Sequence, residues 1–268
     1  MKYQFGFIGC GNMGGALANA LARSVPAERI ALCDTDQQKR DALALSTGAS
    51  AVELSELVLE SEYIFLGVKP QGLPSLLGAM HPLFDRKKER TVLVSMAAGT
   101  SIAAIEAIVG TSLPIIRIMP NTPVSVGEGM VLYACNALVT EEEKATFVGS
   151  LCEGGRLDEI PEDKIDAASA LSGCGPAFVY LFAEALADGA VECGLAREKA
   201  NLYAAQTLLG AATLLLESGR HPGELKDAVC SPGGTTIAGV HALEASAFRA
   251  AAMDAVTSAY GRTLELKN

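Results

Sequence analysis

Tryptophan is absent from this 268-residue sequence, and charged residues make up only 19% of it, whereas half of the residues are hydrophobic. A chain with so much apolar material can bury real cores, which excludes the class of disordered proteins. The formal net charge of −10 disfavours nucleic acid and anionic membranes as partners. The length is that of two modest domains.

Metal ligands and cysteine pairs are also scarce. The seven cysteines are odd in number and show no C-x-x-C spacing, and the three histidines form no ligand motif. We therefore expect no metal site and no disulfide framework, and we predict a cytoplasmic location. The sequence has no signal-peptide pattern at its start. No uninterrupted apolar run reaches the 18 residues of a membrane span, the longest being 177–183.

The first half of the chain alternates between short apolar segments and helical segments. Strands are predicted at 4–8, 29–33, 62–68, 91–96, 114–119 and, as a last edge strand, 156–160. Helices are predicted at 16–23 and 36–46, and a third is capped by Thr100 or Ser101 and runs to Val109. This alternation predicts an α/β fold with a mostly parallel, doubly wound sheet of the Rossmann type.

The second half changes character at Pro161, after which the pattern is helical to the end. We predict a Rossmann-type domain over 1–160 and an all-α domain over 161–268. The helical part is small, rich in alanine and has broad apolar faces, so we expect it to complete its burial against a second copy. The prediction is a homodimer, and assembly beyond the dimer stays open.

A glycine motif for dinucleotide binding follows the first predicted strand. Residues 9–14, GCGNMG, match G-x-G-x-x-G and open a helix, where free N–H groups can hold a pyrophosphate. The alternative is a glycine-rich turn without a ligand. Asp34 stands 20 positions after Gly14, where a carboxylate can accept both ribose hydroxyls of NADH and repel the 2′-phosphate of NADPH. We expect NADPH or NADH as cofactor, and Asp34 favours NADH.

A second motif interrupts the helical half at residues 231–236, SPGGTT. Pro232 ends one helix, the two glycines free the backbone, and the threonines can cap the next helix. Consecutive N–H groups at such a helix start can bind a small anion such as a carboxylate. A well-capped turn between helices explains the same residues equally well.

Several segments together resemble the pyrroline-5-carboxylate reductase family, and the resemblance runs over essentially the whole chain in the family's order. They are FIGCGNM at 7–13, VKP at 68–70, RIMPNTP at 117–123, GEG at 127–129, LSGCGPAF at 171–178, QTLLGAA at 206–212, HPGELK at 221–226 and SPGGTTI at 231–237. The family usually has serine where this chain has Cys174.

The resemblance implies reduction of 1-pyrroline-5-carboxylate to L-proline by hydride transfer from NAD(P)H, the last step of proline biosynthesis. It implies a helical dimerisation domain with helices exchanged between subunits. It places the substrate carboxylate on the backbone of Gly233, Gly234 and Thr235, gives the Thr236 hydroxyl a catalytic role at the ring nitrogen, and sets Met119 and Asn121 beside the nicotinamide. The cofactor-binding residues would be Gly9, Gly11, Asn12, Met13, Gly14, Asp34, Val68, Lys69, Pro70, Ala97 and Ala98.

Two other functions stay open. A related imine or β-hydroxy-acid reductase would have the same architecture, although a β-hydroxy-acid enzyme is expected to carry a lysine where this chain has residues 172–175, SGCG. A non-catalytic dinucleotide-binding sensor needs no substrate anion site. Asp166, Glu184 and Glu244 are expected to face solvent or partners, and His221 to face solvent.

Overall fold

The computed structural model describes residues 1–110 and 112–265. The chain divides into two compact units. The first comprises Met1–Cys174 together with the residues from Tyr260 onward, and the second comprises Gly175–Ala259. The sequence pattern changes at 160/161, whereas the first compact unit extends further and includes one more helix, so the division into domains at 160/161 stays a prediction.

An eight-stranded sheet forms the centre of the first unit. Its strands are β1 (Tyr3–Ile8), β2 (Ile30–Cys33), β3 (Ser50–Ala51), β4 (Ser61–Leu66), β5 (Val92–Ser95), β6 (Ile115–Met119), β7 (Gly129–Cys135) and β8 (Gly155–Glu159). The strand order is β3-β2-β1-β4-β5-β6-β7-β8, and every neighbouring pair is parallel except β6 and β7. The doubly wound sheet is thus confirmed. Its order reverses between β1 and β4, the crevice in which such sheets bind ligands.

Twelve α-helices complete the described part of the chain. The first unit contains α1 (Asn12–Leu21), α2 (Gln37–Thr47), α3 (Leu54–Glu60), α4 (Leu73–Phe84), α5 (Ile102–Val109), α6 (Glu141–Ser150) and α7 (Ile165–Ser172). The second contains α8 (Gly175–Glu192), α9 (Arg197–Ser218), α10 (Pro222–Ala228), α11 (Thr235–Ala245) and most of α12 (Phe248–Glu265). The prediction of helix after Pro161 is confirmed through residue 265.

The strands are apolar on both sides because helices cover both faces of the sheet. One face packs against α1, α2 and α6, with Leu17 and Phe147 fully buried among the rings of β1 and β4. The other face packs against α3, α4, α5 and α7, with Leu57 and Ile165 fully buried. Both faces of the sheet are thereby closed, and its carboxyl edge is left to hold the loops that follow β1, β2, β4, β5 and β6.

The helical unit buries little of its own apolar surface. Its buried contacts between α8 and α9 are made by small side chains, Ala187, Ala200 and Ala204. Many large apolar side chains of the unit stay exposed, namely Val179, Tyr180, Leu181, Leu186, Leu202, Tyr203, Leu209, Leu214, Leu215, Leu216, Val229, Ile237, Leu243, Phe248 and Met253. A unit with so much exposed apolar surface is expected to bury it against a partner.

One helical stretch, Glu162–Glu192, is long and apolar enough by length and composition to cross a membrane. The expectation that no segment reaches this length was therefore wrong. The stretch contains no uninterrupted apolar run of that length, because small residues and a few polar ones are spread through a helical segment whose average is apolar. The stretch begins in the first unit with α7 and continues in the second as α8.

Candidate active site

The glycine loop lies in the crevice between β1 and β4. Gly9 has a φ of 103°, a conformation that side chains rarely adopt, and a Cβ on it would lie 2.5 Å from the carbonyl oxygen of Gly67 at the end of β4. A Cβ on Gly14 would lie 2.1 Å from the carbonyl oxygen of Gly9. Only glycine at both positions lets α1 start directly against the strand end, as the motif predicts.

The start of α1 offers a row of backbone donors. The first helical hydrogen bond runs from Gly15 N to Gly11 O at 2.7 Å. Within the described residues, the N–H groups of Gly11, Asn12, Met13 and Gly14 have no hydrogen-bond acceptor. A Cβ on Gly11 would meet nothing within 4 Å, so open space lies in front of these donors. Residues 10–12, together with Lys39 and Ser125, line a cleft of about 380 Å³. This arrangement fits a pyrophosphate.

Asp34 lies at the end of β2 and ties that strand to the glycine loop. Its Oδ2 accepts a hydrogen bond from Cys10 N at 2.6 Å, and its Oδ1 accepts one from Asp36 N at 2.8 Å. A carboxylate oxygen can accept two hydrogen bonds, so each oxygen keeps one acceptor position for a ribose hydroxyl. Burial and the neighbouring Asp34 carboxylate raise the pKa of the Cys10 thiol to about 12. Cys10 is therefore an inert packing residue of the loop.

The other predicted cofactor residues follow the carboxyl ends of neighbouring strands. Val68, Lys69 and Pro70 follow β4, and Ala97 and Ala98 follow β5. Lys69 is exposed, and its ammonium has no ion pair within the described part of the chain. The sheet thus brings these loops to the same edge as the glycine loop, as the sequence predicted.

Met119 and Asn121 lie where β6 ends, on the same edge. Asn121 is buried, and its amide is already used by the fold. Its Nδ2 donates to Ser172 O at 2.9 Å, and its Oδ1 accepts from Met130 N at 2.9 Å. Each end of the amide has one bonding position left. Asn121 thus links the end of β6 to β7 and α7, and its role as a ligand-binding residue stays a prediction.

The predicted substrate loop lies in the second unit, at the start of α11. Gly233 has a φ of 67°. Gly234 N donates to Ser231 O at 3.0 Å, so the expectation that this N–H holds the substrate carboxylate is corrected: the turn itself already uses it. The first helical bond runs from Ala238 N to Gly234 O, so the N–H groups of Thr235, Thr236 and Ile237 have no acceptor within the described residues. No side chain caps this helix, and both threonines are exposed. The alternative of a turn capped by threonine side chains is therefore not what the structure shows, and an anion can bind there.

One expectation was wrong. Asp166 was expected to face solvent or partners, but it is only 4% exposed within the chain and its Oδ1 accepts from Arg117 Nη2 at 2.9 Å. Arg117 also donates through Nη1 to Glu162 Oε1 at 3.2 Å. The sequence offers a signal only at Arg117, which stands between isoleucines in a strand, where an arginine needs a buried partner. It does not identify Asp166 as that partner.

Metal chemistry has no support in the arrangement of side chains. Over residues 1–110 and 112–265, no group of three or more His, Cys, Asp or Glu side chains is placed to hold a metal ion. His221 is exposed and caps α10, its Nδ1 accepting from Gly223 N at 3.0 Å.

Comparison with known proteins connects these sites to one family. The family described as pyrroline-5-carboxylate reductase dimerisation matches residues 162–266, and the family described as NADP oxidoreductase, coenzyme F420-dependent, matches residues 4–99. The chain is 42% identical over 270 residues to pyrroline-5-carboxylate reductase 3 of Danio rerio, covering 100% of this chain and 92% of the relative.

It is 39% identical over 269 residues to the pyrroline-5-carboxylate reductase of Escherichia coli, covering 99% of each chain. The crystal structure of the Plasmodium falciparum pyrroline carboxylate reductase with NADP bound matches with a TM-score of 0.87 and 33% identity, covering 100% of both chains. The chain belongs to the pyrroline-5-carboxylate reductase family.

Proposed function

We propose that this chain reduces 1-pyrroline-5-carboxylate to L-proline with a reduced nicotinamide dinucleotide, as the names of its relatives indicate. One observation carries the proposal. Within the described residues, α11 begins with three N–H groups that have no acceptor and with no side-chain cap, and α1 begins with a similar row of N–H groups after β1. The first can hold a carboxylate and the second a pyrophosphate. A reductase of a cyclic imino acid needs both.

The reduced nicotinamide supplies the hydride and the protein supplies binding and orientation. In the proposed reaction the imine carbon gains a hydride, the C=N π electrons become the nitrogen lone pair, and the nitrogen carries one proton in the amine product. The N–H groups of residues 235–237, next to Gly233 and Gly234, hold the substrate carboxylate. The exposed Thr236 hydroxyl forms a hydrogen bond with the ring nitrogen, as donor or as acceptor. In this way it orients the imine and assists its protonation.

The cofactor is a nicotinamide dinucleotide in this proposal, held by Gly9, Gly11, Asn12, Met13 and Gly14. Asp34 favours NADH, because its carboxylate is fixed beside the glycine loop with acceptor positions left for the ribose hydroxyls. Steady-state measurement of kcat/KM with both cofactors tests this preference. A higher value with NADPH would overturn it.

Self-association follows from the dimerisation family that matches residues 162–266. We propose a homodimer formed by the helical unit, which leaves its large apolar side chains exposed in the single chain. The same interface accounts for the apolar stretch Glu162–Glu192, which then packs against protein rather than lipid. A cytoplasmic location, without nucleic-acid or membrane partners, is the corresponding proposal.

The direct test is oxidation of NADH and NADPH, followed at 340 nm, with pyrroline-5-carboxylate as substrate. We expect Thr236→Ala to lower kcat by about 10- to 100-fold while the KM for NADH changes little, because the hydroxyl acts on the imine and not on the cofactor. Thr235→Ala is the matched control. It removes a neighbouring exposed hydroxyl and keeps the backbone N–H that we assign to the carboxylate. Equal kcat in Thr236→Ala and wild type would remove the catalytic role.

The two alternatives give different outcomes in the same assay. A related imine or β-hydroxy-acid reductase would turn over another member of a substrate panel faster than pyrroline-5-carboxylate. A non-catalytic sensor would bind the dinucleotide without oxidising it with any of these substrates, and without reducing NAD(P)⁺ with proline at high pH.

A further inference from the structure

A buried ion cluster lies on one face of β6, outside the residues that we assign to substrate or cofactor. Arg117 shares this face with Ile115 and Met119 and is only 2% exposed. Its Nη2 lies 2.9 Å from Asp166 Oδ1 and its Nη1 lies 3.2 Å from Glu162 Oε1. The arginine thus connects the strand that ends at Met119 to the beginning of α7.

The same cluster also holds the start of α5. Glu162 Oε1 accepts a second hydrogen bond from Ile102 N at 2.7 Å, the first N–H of that helix. One carboxylate therefore joins the start of α5, which follows the loop with Ala97 and Ala98, and strand β6 to the turn before α7. These three parts of the first unit are held by one group of charges.

The far end of α7 is attached to the same segment. Asn121 Nδ2 donates to Ser172 O at 2.9 Å. The attachment points Arg117 and Asn121 are ~13 Å apart in extended chain, and their partners Asp166 and Ser172 are ~9 Å apart along a helix. The side chains of the two attachment points are long enough to make up the difference between these two distances. Helix α7 is therefore held at two points alongside the segment that contains Met119.

Stability alone explains this cluster poorly. Replacing a buried ion cluster by apolar side chains is often neutral or stabilising, because charges lose their hydration on burial. Here the cost is higher still, since Arg117 Nε is buried without a hydrogen-bond partner among the described residues. An apolar side chain would suit the row of Ile115 and Met119 and leave no such donor. What the charges add is a fixed geometry.

We propose that Arg117 is a positioning residue for hydride transfer. With Glu162 and Asp166 it fixes α7 against the 117–121 segment, and so it fixes the position of Met119 at the end of β6. The inference depends on the proposed function, because it assumes that the nicotinamide lies by Met119. Small displacements between reacting groups can reduce turnover by large factors.

The test compares Arg117→Met with Arg117→Lys in the purified full-length protein. Arg117→Met keeps much of the side-chain volume but loses the charge, and we expect kcat to fall by ~10-fold or more while the Kd for NADH changes by less than about twofold. Arg117→Lys should recover part of kcat, because one ion pair can re-form. The primary isotope effect on kcat with 4-deuterated NADH should rise in Arg117→Met, since a slower hydride step limits turnover.

Controls separate positioning from folding. Arg90→Met removes an arginine that pairs with Glu143 elsewhere in the first unit, and should leave kcat and the isotope effect unchanged. Asp166→Asn keeps an oxygen acceptor for Arg117, and it tests the same cluster if the Arg117 variant does not fold. It should repeat the smaller kcat and the larger isotope effect.

Two results would contradict the inference, and a third would contradict the proposed function on which it depends. If kcat per bound NADH and the isotope effect are unchanged in Arg117→Met and Asp166→Asn, the cluster is structural. The cluster is also structural if kcat falls only in proportion to the fraction of the enzyme that has NADH bound. Inactivity of the wild type with pyrroline-5-carboxylate would instead refute the proposed function.

Discussion

At the scale of single residues, the glycines of the first loop divide into two kinds. Gly14 is needed by the fold, because a Cβ there would lie 2.1 Å from Gly9 O, closer than any real contact. Gly11 is needed only by a ligand, because a Cβ there meets no protein atom within 4 Å and its φ of −71° suits any residue. The sequence motif does not distinguish these two roles of glycine, whereas the structure does.

This difference predicts three distinct variants. Gly14→Ala should lower the Tm and weaken NADH binding by ~10-fold or more, because α1 must move away from β1. Gly11→Val should keep the wild-type Tm and lose NADH binding. Gly15→Ala is the matched control, since its Cβ would lie 3.6 Å from Cys10 O in ordinary contact. Thermal unfolding and NADH fluorescence titration check all three, and a Gly11→Val protein that binds NADH normally would refute the pyrophosphate site.

The same scale shows why the sequence predicted the backbone conformation of some residues and misplaced the side chains of others. Residues whose role comes from the backbone, such as Gly9 and Gly233, were predictable because only glycine adopts their φ values of 103° and 67° freely. Asp166 was not, because a charge at the start of a helix looks the same from the sequence whether it faces water or Arg117. Its partner is 49 residues away, and local pattern carries no such information.

At the scale of elements, one half-buried lysine holds a helix end to a strand start. Lys87 Nζ donates to Val58 O near the end of α3 at 2.8 Å and to Ser61 O at the start of β4. Burial lowers the pKa of Lys87 from 10.5 to about 8. The unfolded chain therefore binds this proton more tightly than the folded chain does. The free energy of unfolding should rise as the pH goes from 8 to 10.5, where the folded state no longer has to hold a buried charge.

Because other groups titrate in the same range, the prediction concerns the difference between wild type and Lys87→Met. The stability of wild type relative to Lys87→Met should increase by ~1–2 kcal/mol between pH 7.5 and pH 10.5, discounted for partial solvent exposure. Urea unfolding at one fixed protein concentration measures it. Lys88→Met, at the exposed neighbouring lysine, should differ from wild type equally at both pH values. A flat difference for Lys87→Met would contradict a buried ammonium.

Elements were predicted well where their pattern was local. The five parallel strands β1, β2, β4, β5 and β6 were confirmed to within two residues at each end, because buried parallel strands are continuous apolar runs between helices. Strand β7 was not predicted, although residues 130–135 are apolar and suited to a strand. It departs from the alternation of strand and helix, since it follows β6 through a short loop and runs antiparallel to it.

At the scale of the whole molecule, the two units have opposite surface properties. The first covers its sheet on both faces, whereas the second leaves large apolar side chains exposed along α8, α9, α11 and α12. Residues of α8, α11 and α12 line an apolar groove of about 590 Å³ within the second unit, with Phe178, Phe182 and Leu243 among them. The dimerisation family covers this unit, and the proposed homodimer would bury the groove.

A charge in that groove should therefore prevent assembly. Leu181 on α8 lines the groove and is 69% exposed in the single chain, so Leu181→Asp should not disturb its fold. In a dimer the carboxylate would lose its water without gaining a partner, a cost large enough to favour the monomer at micromolar concentration. Light scattering after size-exclusion chromatography should show the monomer mass. Leu45→Asp is the matched control: Leu45 is 89% exposed on α2 in the first unit, and this variant should remain a dimer. If Leu181→Asp elutes with the dimer mass while Leu45→Asp does not, the interface lies on the dinucleotide unit and the helical unit has some other partner.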